Sequence, residues 1–145
     1  MGETAAALAA ASIAFKKVDP KYSALLLTHA KSLYNFADKH RDTYTTEIKD
    51  GALYYKSFSG WGDELAWAAA WLLRATNDQF YKSEVDKHFK EFGGLQYNPG
   101  GFGWDTKTAG VQALLAEITG DQKYKNMVKN FCDSMVSHNR TKKGP

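Results

Sequence analysis

Two adjacent acids, Asp63 and Glu64, are the residues of this 145-residue chain best placed to hold a cation, because they open a long apolar helical run. Calcium takes several oxygens from carboxylates and backbone carbonyls. Consecutive helical side chains point about 100° apart, so both acids reach one ion only near the helix end. The preceding loop offers Ser59 and Gly60, and Asp105, at the opening of the next buried helix, could close the shell. Helix capping is the alternative, since acids favour any first turn.

Four aromatic residues flank these acids and could bind a flat ligand: Tyr55, Phe58, Trp61 and Trp104. Sugar rings present apolar C–H faces, and aromatic side chains along a cleft bind such faces by stacking. Packing in the core or within the loops is the alternative, and the sequence leaves both interpretations open for Trp61 and Trp104. Trp67 and Trp71, one helical turn apart in the apolar run, are predicted to be core residues.

Redox and zinc chemistry have no support in the sequence. The single cysteine, Cys132, excludes an intrachain disulfide, and its spacing from Val128 and Phe131 predicts inert packing on an apolar helix face. No histidine has a partner at the spacing of a metal-binding motif, which predicts packing or solvated roles for all of them. They are His29, His40, His88 and His138.

The charge pattern predicts neither a nucleic-acid nor a membrane partner. The formal net charge is +3, and the basic cluster at residues 140–143 is predicted to be a solvated tail. No run of 18 apolar residues occurs and no signal peptide is visible, so no membrane-spanning segment is predicted. Asn139 begins an N-glycosylation acceptor pattern, which occurs often by chance.

The apolar pattern is helical along almost the whole chain, and two kinds of helix alternate. Residues 5–15, 65–73 and 111–118 are apolar on nearly every side and rich in alanine, which predicts buried helices with close neighbours. Each is followed by a one-sided apolar stripe that is typical of a helix with one face in water. Strand signals are weak apart from a short extended piece predicted at residues 52–55. The sequence therefore predicts an all-α fold of three helical hairpins.

Each amphipathic helix opens with an Asp-x-x-Tyr motif, beginning at Asp19, Asp78 and Asp121. An aspartate at this position accepts hydrogen bonds from the unpaired N–H groups of the first helical turn. The unequal spacing of the three motifs argues against a tight solenoid of fixed period. Two architectures remain, an irregular α-solenoid and a toroidal α/α barrel in which the long loops gather at one end.

Four blocks of sequence carry a resemblance to a known family. They are GETAAALAAAS at residues 2–12, YYKSFSGWGDELAWAAAWLLRAT at 54–76, WDTK with GVQALLA at 104–116, and ITGD at 118–121. Together they resemble the glycoside hydrolase family 9 endoglucanases, and the first block is similar to the termite and other invertebrate cellulases. The resemblance extends in colinear order over nearly all of the chain.

The resemblance implies an (α/α)6 barrel, of which the three hairpins would form about half. Residues 1–145 would then be the central part of a single catalytic domain. The implied activity is hydrolysis of internal β-1,4-glucosidic bonds of cellulose with inversion, and the implied location is extracellular. Inversion needs an acid and a base with their carboxyl groups roughly 6.5–9.5 Å apart. The family's Asp-Ala-Gly-Asp base motif, its acidic glutamate region and its Pro-His-His-Arg segment do not occur here, so no residue is assigned as catalytic and the isolated chain is predicted to be inactive.

The resemblance also implies roles for the residues considered first. Ser59, Gly60, Asp63, Glu64 and Asp105 match the positions of a structural calcium site in the family. Tyr55 and Phe58 match positions that line the substrate cleft, although Phe58 departs from the tryptophan of some members. The predicted partners are cellulose chains and the remainder of the catalytic domain. The alternative function is a non-catalytic α-helical module that binds glucan or acts as a scaffold.

Overall fold

The computed structural model describes residues 1–92 and 99–138, and every regular element within these two ranges is a helix. In chain order the helices are α1 (Gly2–Phe15), α2 (Pro20–Lys39), α3 (Tyr44–Glu47), α4 (Lys49–Tyr54), α5 (Gly62–Thr76), α6 (Gln79–Glu91), α7 (Thr108–Thr119) and α8 (Gln122–His138). The predicted all-α fold is confirmed. None of these helices is long and apolar enough to cross a membrane.

Six long helices form three hairpins, α1–α2, α5–α6 and α7–α8, with α3 and α4 as short helices in the loop between the first two. The alanine-rich helices α1, α5 and α7 lie side by side, because α5 contacts both of the others. The amphipathic helices α2, α6 and α8 pack on their outside. This arrangement of inner and outer helices is half of a six-hairpin barrel, as the sequence predicts.

The prediction of an extended piece at residues 52–55 is wrong, because Lys49–Tyr54 forms helix α4. The N–H of Tyr55 closes the last turn by donating to the Gly51 carbonyl at 2.8 Å. An isolated extended segment would leave such groups unpaired unless a second strand lay beside it. No strand occurs in the described part of the chain, so a helical turn satisfies this backbone instead.

The joints of the second and third hairpins use one hydrogen-bond pattern. Helix α5 ends at Asn77 with φ 57°, and α7 ends at Gly120 with φ 68°, both in the left-handed conformation that closes a helix. The next residue in each joint is the predicted aspartate. Asp78 accepts from the Phe80 N–H at 2.9 Å, and Asp121 accepts from the Lys123 N–H at 2.8 Å.

The inner helices approach closely because their contact faces carry glycine and alanine. Ala5 and Ala9 of α1 and Ala69 of α5 are fully buried in one hydrophobic cluster. At the start of α1 the backbones come so near that a Cβ on Gly2 would lie 2.7 Å from the carbonyl oxygen of Glu64. The first turns of α1 and α5 therefore lie against each other, and this contact positions Glu64.

The prediction that Cys132 packs on an apolar helix face is wrong, because its side chain is exposed. The packed side of α8 runs through Tyr124, Met127 and Phe131, and Cys132 falls one residue beyond that stripe. The Asn139 acceptor pattern and the basic residues 140–143 lie outside the described residues.

Candidate functional site

Three inner helices begin at the same end of the molecule, and residues 57–60 and 103–107 meet there. The Glu3 carboxylate, in the first turn of α1, lies 2.8 Å from the ammonium of Lys107, which directly precedes α7. The backbone N–H of Lys107 donates to Asp63 Oδ2, in the first turn of α5, at 2.7 Å. Helix N-termini carry partial positive charge, so their convergence favours acidic side chains at this end.

Asp63 and Glu64 form a half-buried pair of acids. Within the described residues, Asp63 Oδ1 and Glu64 Oε2 are buried without a hydrogen-bond donor. Burial raises the pKa of Glu64 to about 8, and the neighbouring Asp63 carboxylate adds to the rise. When both groups are ionised neither can donate to the other, so two negative charges face one another in a low-dielectric setting. Helix capping does not satisfy these two oxygens, whereas a proton on Glu64 shared with Asp63, or a bound cation, would.

Asp105, in the loop before α7, is hydrogen-bonded to the loop before α5 at the same end. Asp105 accepts from the Phe58 N–H with both carboxylate oxygens, at 3.0 and 3.2 Å. The Ser59 hydroxyl donates to the Asp105 carbonyl. Gly60 holds a φ of 84°, which other residues adopt only with strain, and its carbonyl accepts from the Ser57 hydroxyl at 3.0 Å. The hydrogen bonds of Phe58 and Ser59 with Asp105 therefore link the loop before α5 to the loop before α7.

Lys107 is a component of this end that sequence reasoning missed as a functional residue. It enters the sequence comparison only as part of the WDTK motif, yet its ammonium is buried and bonded on several sides. A lysine two residues after an aspartate gives no signal of burial in the sequence. Its location depends on the meeting of α1, α5 and α7, which no local pattern encodes.

A cavity of about 380 Å³ opens beside the acid pair. Glu64 forms part of its wall, together with Glu3 of α1, Arg41 after α2 and Tyr44 of α3. The cavity has both charged and aromatic walls, and Trp104 stands at its edge. Such a surface suits a polar ligand with apolar faces.

The four predicted aromatic residues separate into two groups. Tyr55, Phe58 and Trp104 are 63%, 79% and 52% exposed, and the rings of Tyr55 and Trp104 meet edge to face with centroids 5.6 Å apart. Trp61 is half-buried against the core, with the Phe92 ring at 4.5 Å. Three of the four rings are therefore exposed, whereas Trp61 mainly packs.

A second polar cluster joins α2 to α6, and the sequence gives no motif for it. Ligand atoms of Asp38, Glu84 and His88 lie within 4.8 Å of one another, and among the described residues they are the group of three that meets this criterion. The Tyr34 hydroxyl lies 3.0 Å from both Glu84 Oε2 and the His88 Nε2 atom. Because Tyr34 and His88 are 54 positions apart in the sequence, no local motif indicates the cluster.

Ion pairs already satisfy the acids of this second cluster. Arg41 lies 2.5 Å from Asp38, and Lys87 lies 3.2 Å from Glu84. Although burial alone would raise the pKa of Asp38, the Arg41 guanidinium outweighs it and lowers that pKa. Burial lowers the pKa of His88, whose side chain is completely buried. The cluster therefore links α2 to α6 through side chains, and His88 takes the packing role, one of the two roles that the sequence left open.

Known proteins are similar to this chain in sequence and in the arrangement of helices. The family profile described as glycosyl hydrolase family 9 matches residues 1–145. The endoglucanase of the termite Nasutitermes takasagoensis, with a structure at pH 2.5, is 49% identical with a TM-score of 0.90, over 99% of this chain and 33% of that one. The cellulase Cel9M of C. cellulolyticum, in complex with cellobiose, is 28% identical with a TM-score of 0.75, over 97% and 32% of the two chains.

A plant relative matches the same region. Endoglucanase 19 of Arabidopsis thaliana is 53% identical over 97 residues, which are 67% of this chain and 16% of that protein. The relatives that share these helical hairpins are endoglucanases and a cellulase. The chain belongs to glycosyl hydrolase family 9, and it spans only a minor part of the length of the relatives it matches.

Proposed function

We propose that residues 1–145 are the central part of a single (α/α)6-barrel catalytic domain that hydrolyses internal β-1,4-glucosidic bonds of cellulose with inversion. The observation that carries this proposal is the exposed edge-to-face pair of Tyr55 and Trp104 beside the cavity and the acid pair. Exposed aromatic rings at one end of a helical barrel suit the apolar faces of glucose units. Cellobiose in the complex of the cellulase Cel9M is a ligand of this chemistry.

The residues of this chain bind and position the substrate, and other segments of the domain supply the acid and the base. No Asp-Ala-Gly-Asp motif occurs among the 145 residues. Tyr55, Phe58 and Trp104 offer the ring faces on which glucose units stack, and Trp61 supports the cleft wall from the core side. Since cellulose is an insoluble polymer that cells cannot take up, we propose that the enzyme acts outside the cell.

We further propose a structural calcium ion held by Asp63, Glu64 and Asp105, with oxygens from Ser59 and Gly60. The buried, donor-free oxygens of Asp63 and Glu64 support this assignment because hard oxygen ligands are the ones calcium takes. The three carboxylates do not all lie within 4.8 Å of one another, and calcium holds each oxygen at only about 2.3–2.6 Å, so binding of one ion would require the Asp105 loop to move toward the acid pair. When bound, the ion supplies positive charge between the two loops.

Glucan binding tests the cleft assignment. We expect Trp104→Ala to weaken cellotetraose binding about three- to tenfold, because one stacking contact contributes roughly 1 kcal/mol. Titration calorimetry on the folded chain measures this change. Phe80→Ala is the matched control, because it removes an aromatic ring that is also 52% exposed but lies in the first turn of α6, away from the cavity. Equal affinity in the Trp104→Ala and Phe80→Ala variants would contradict the cleft assignment.

A hydrolysis assay tests whether the catalytic acid and base lie outside this chain. We expect the purified chain, shown to be helical by circular dichroism, to release no reducing ends from soluble cellulose. Release above background would show that the acids lie within the chain, and Asp63, Glu64 and Asp105 would then be the first to mutate. Binding without release by the complete enzyme would favour the non-catalytic glucan-binding module.

A further inference from the structure

Lys107 is a buried lysine whose charged end is fully occupied by loop and helix oxygens. Its side chain is 6% exposed. The ammonium donates to the Trp104 carbonyl at 2.7 Å and to the Gly103 carbonyl, and it lies 2.8 Å from Glu3 Oε1. An ammonium has three N–H groups, and these three acceptors match that number. A lysine buried in this way is held by its bonds, because desolvation without partners would be costly.

The backbone of Lys107 is fixed as firmly as its side chain. Its N–H donates to Asp63 Oδ2 at 2.7 Å, and its carbonyl accepts from the Val111 N–H at 3.0 Å in the first turn of α7. The residue therefore connects α7 with α5 through the backbone and with α1 through Glu3. The ammonium is therefore fixed relative to α1 and α5, and its bonds hold the preceding loop against these helices.

That loop carries Trp104. The Gly103 N–H donates to the Thr106 carbonyl at 3.1 Å, so the segment closes into a turn around the lysine. The carbonyls of Gly103 and Trp104 lie on either side of the Trp104 Cα atom along the backbone, and both accept from the Lys107 ammonium. The two peptide planes set the direction in which the Trp104 ring leaves the backbone toward Tyr55.

We propose that Lys107 is a positioning residue for glucan binding: its buried ammonium holds the backbone of Trp104 so that the ring stands exposed against Tyr55. The expected effect on glucan binding rests on the proposed function. The positioning of the Trp104 ring by Lys107 is a property of the folded chain and can be tested without a glucan. The bonds of the ammonium go to Gly103, Trp104 and Glu3, which are not among the proposed calcium ligands. Calcium at Asp63 would act on the backbone N–H of Lys107, which donates to Asp63, and not directly on the bonds of the ammonium.

Near-ultraviolet circular dichroism of the full chain tests the positioning directly, because it reports the fixed Tyr55–Trp104 pair. Trp104→Phe defines the part of the spectrum that belongs to Trp104. We expect Lys107→Met, with the far-ultraviolet spectrum unchanged, to lose that same part, and the double variant to lose no more than Trp104→Phe alone. Glu3→Gln should keep the signal, since both loop carbonyls retain their donor. Lys31→Met, an exposed position on α2, is the control.

Cellotetraose affinity, measured by calorimetry, gives the functional readout. We expect Lys107→Met to weaken binding about three- to tenfold, as Trp104→Ala does, with no further loss when the two changes are combined. If Lys107→Met fails to fold, Lys107→Gln is measured in the same way. A wild-type Trp104 signal in the folded variant would overturn the proposal. If the wild-type chain binds no cellotetraose, the proposed function fails, and the dichroism alone decides the role of Lys107.

Discussion

At the scale of single residues, the acid pair illustrates what a sequence discloses and what it withholds. Asp63 and Glu64 are adjacent and open an apolar helix, so their candidacy as cation ligands is visible in the sequence. The burial of Asp63 Oδ1 and Glu64 Oε2 is not visible in the sequence, because it depends on the packing of the first turn of α1 against the start of α5. The position of the two acids at a helix start was therefore predictable, whereas the buried ammonium of Lys107 beside them was not.

Calcium should stabilise the chain through these acids. We expect added calcium to raise the melting temperature of the chelator-treated protein, because a ligand that binds only the folded state stabilises it by mass action. Asp63→Asn should abolish the rise. Asp133→Asn, at an exposed position on α8, should leave it intact. Differential scanning calorimetry measures both variants, and identical melting curves with calcium and with chelator would remove the metal site.

Without calcium, Glu64 should make the folded chain less stable as pH rises, whereas an acid whose pKa falls on folding makes it more stable. Its pKa rises from 4.5 to about 8 on folding, so the folded state binds the proton more tightly. The free energy of unfolding contributed by this group therefore falls as pH rises from about 4.5 to 8. We expect Glu64→Gln to stabilise the metal-free chain at pH 8, by on the order of 1–3 kcal/mol, and to have little effect at pH 4.5.

Urea unfolding in chelator at both pH values measures this difference. Glu47→Gln, which removes an exposed acid from α3, is the charge-matched control. A stabilisation of the Glu64→Gln variant that is the same at both pH values would show that the amide acts through packing instead of charge.

At the scale of elements, local chemistry predicted most of what is observed. Asp19, Asp78 and Asp121 cap their helices as the motif predicts, because an N-cap needs only residues within one turn. The polar docking of α2 on α6 could not be predicted, since Tyr34 and His88 are 54 positions apart. The stretch at residues 52–55 misled the prediction because a few apolar residues fit a strand or a helical turn equally well.

The contact between α1 and α5 should be intolerant of even one added methyl group. Gly2→Ala would place a Cβ 2.7 Å from a backbone oxygen of Glu64, which cannot rotate away as a side chain does. We expect a loss of about 1–3 kcal/mol of unfolding free energy from overpacking, larger than the intrinsic helix gain of alanine. Gly101→Ala, which has open space around its Cβ position, is the control for urea unfolding. Equal stability of the two variants would contradict the close approach.

At the scale of the whole molecule, three hairpins leave apolar surface facing solvent. Ala7 and Ala14 of the inner helix α1 are exposed, as is Val136 of α8 at 64%. Inner helices of a complete barrel are enclosed by neighbours on both sides, and such surfaces in a partial barrel are sites of association.

We therefore expect the isolated chain to be marginally stable and to self-associate as its concentration rises. Ala7→Glu should reduce association by placing a charge on the open face of α1. Ser32→Glu, on the exposed side of α2, adds the same charge away from that face and should not. Sedimentation velocity over a concentration series measures the effect. A monomer with a sharp, reversible unfolding transition would contradict this expectation.

The two tight joints at Asn77 and Gly120 also bear on how the chain acquires its fold. Each places a partner helix only two residues after the helix it must cover, so most pairing contacts are local in sequence. Chains with local contacts fold quickly, because little loop entropy is lost before the contacts form. During synthesis, α6 can close over α5 as soon as it leaves the ribosome, before α7 appears. The alanine-rich helices are then shielded one at a time while the nascent chain is still incomplete.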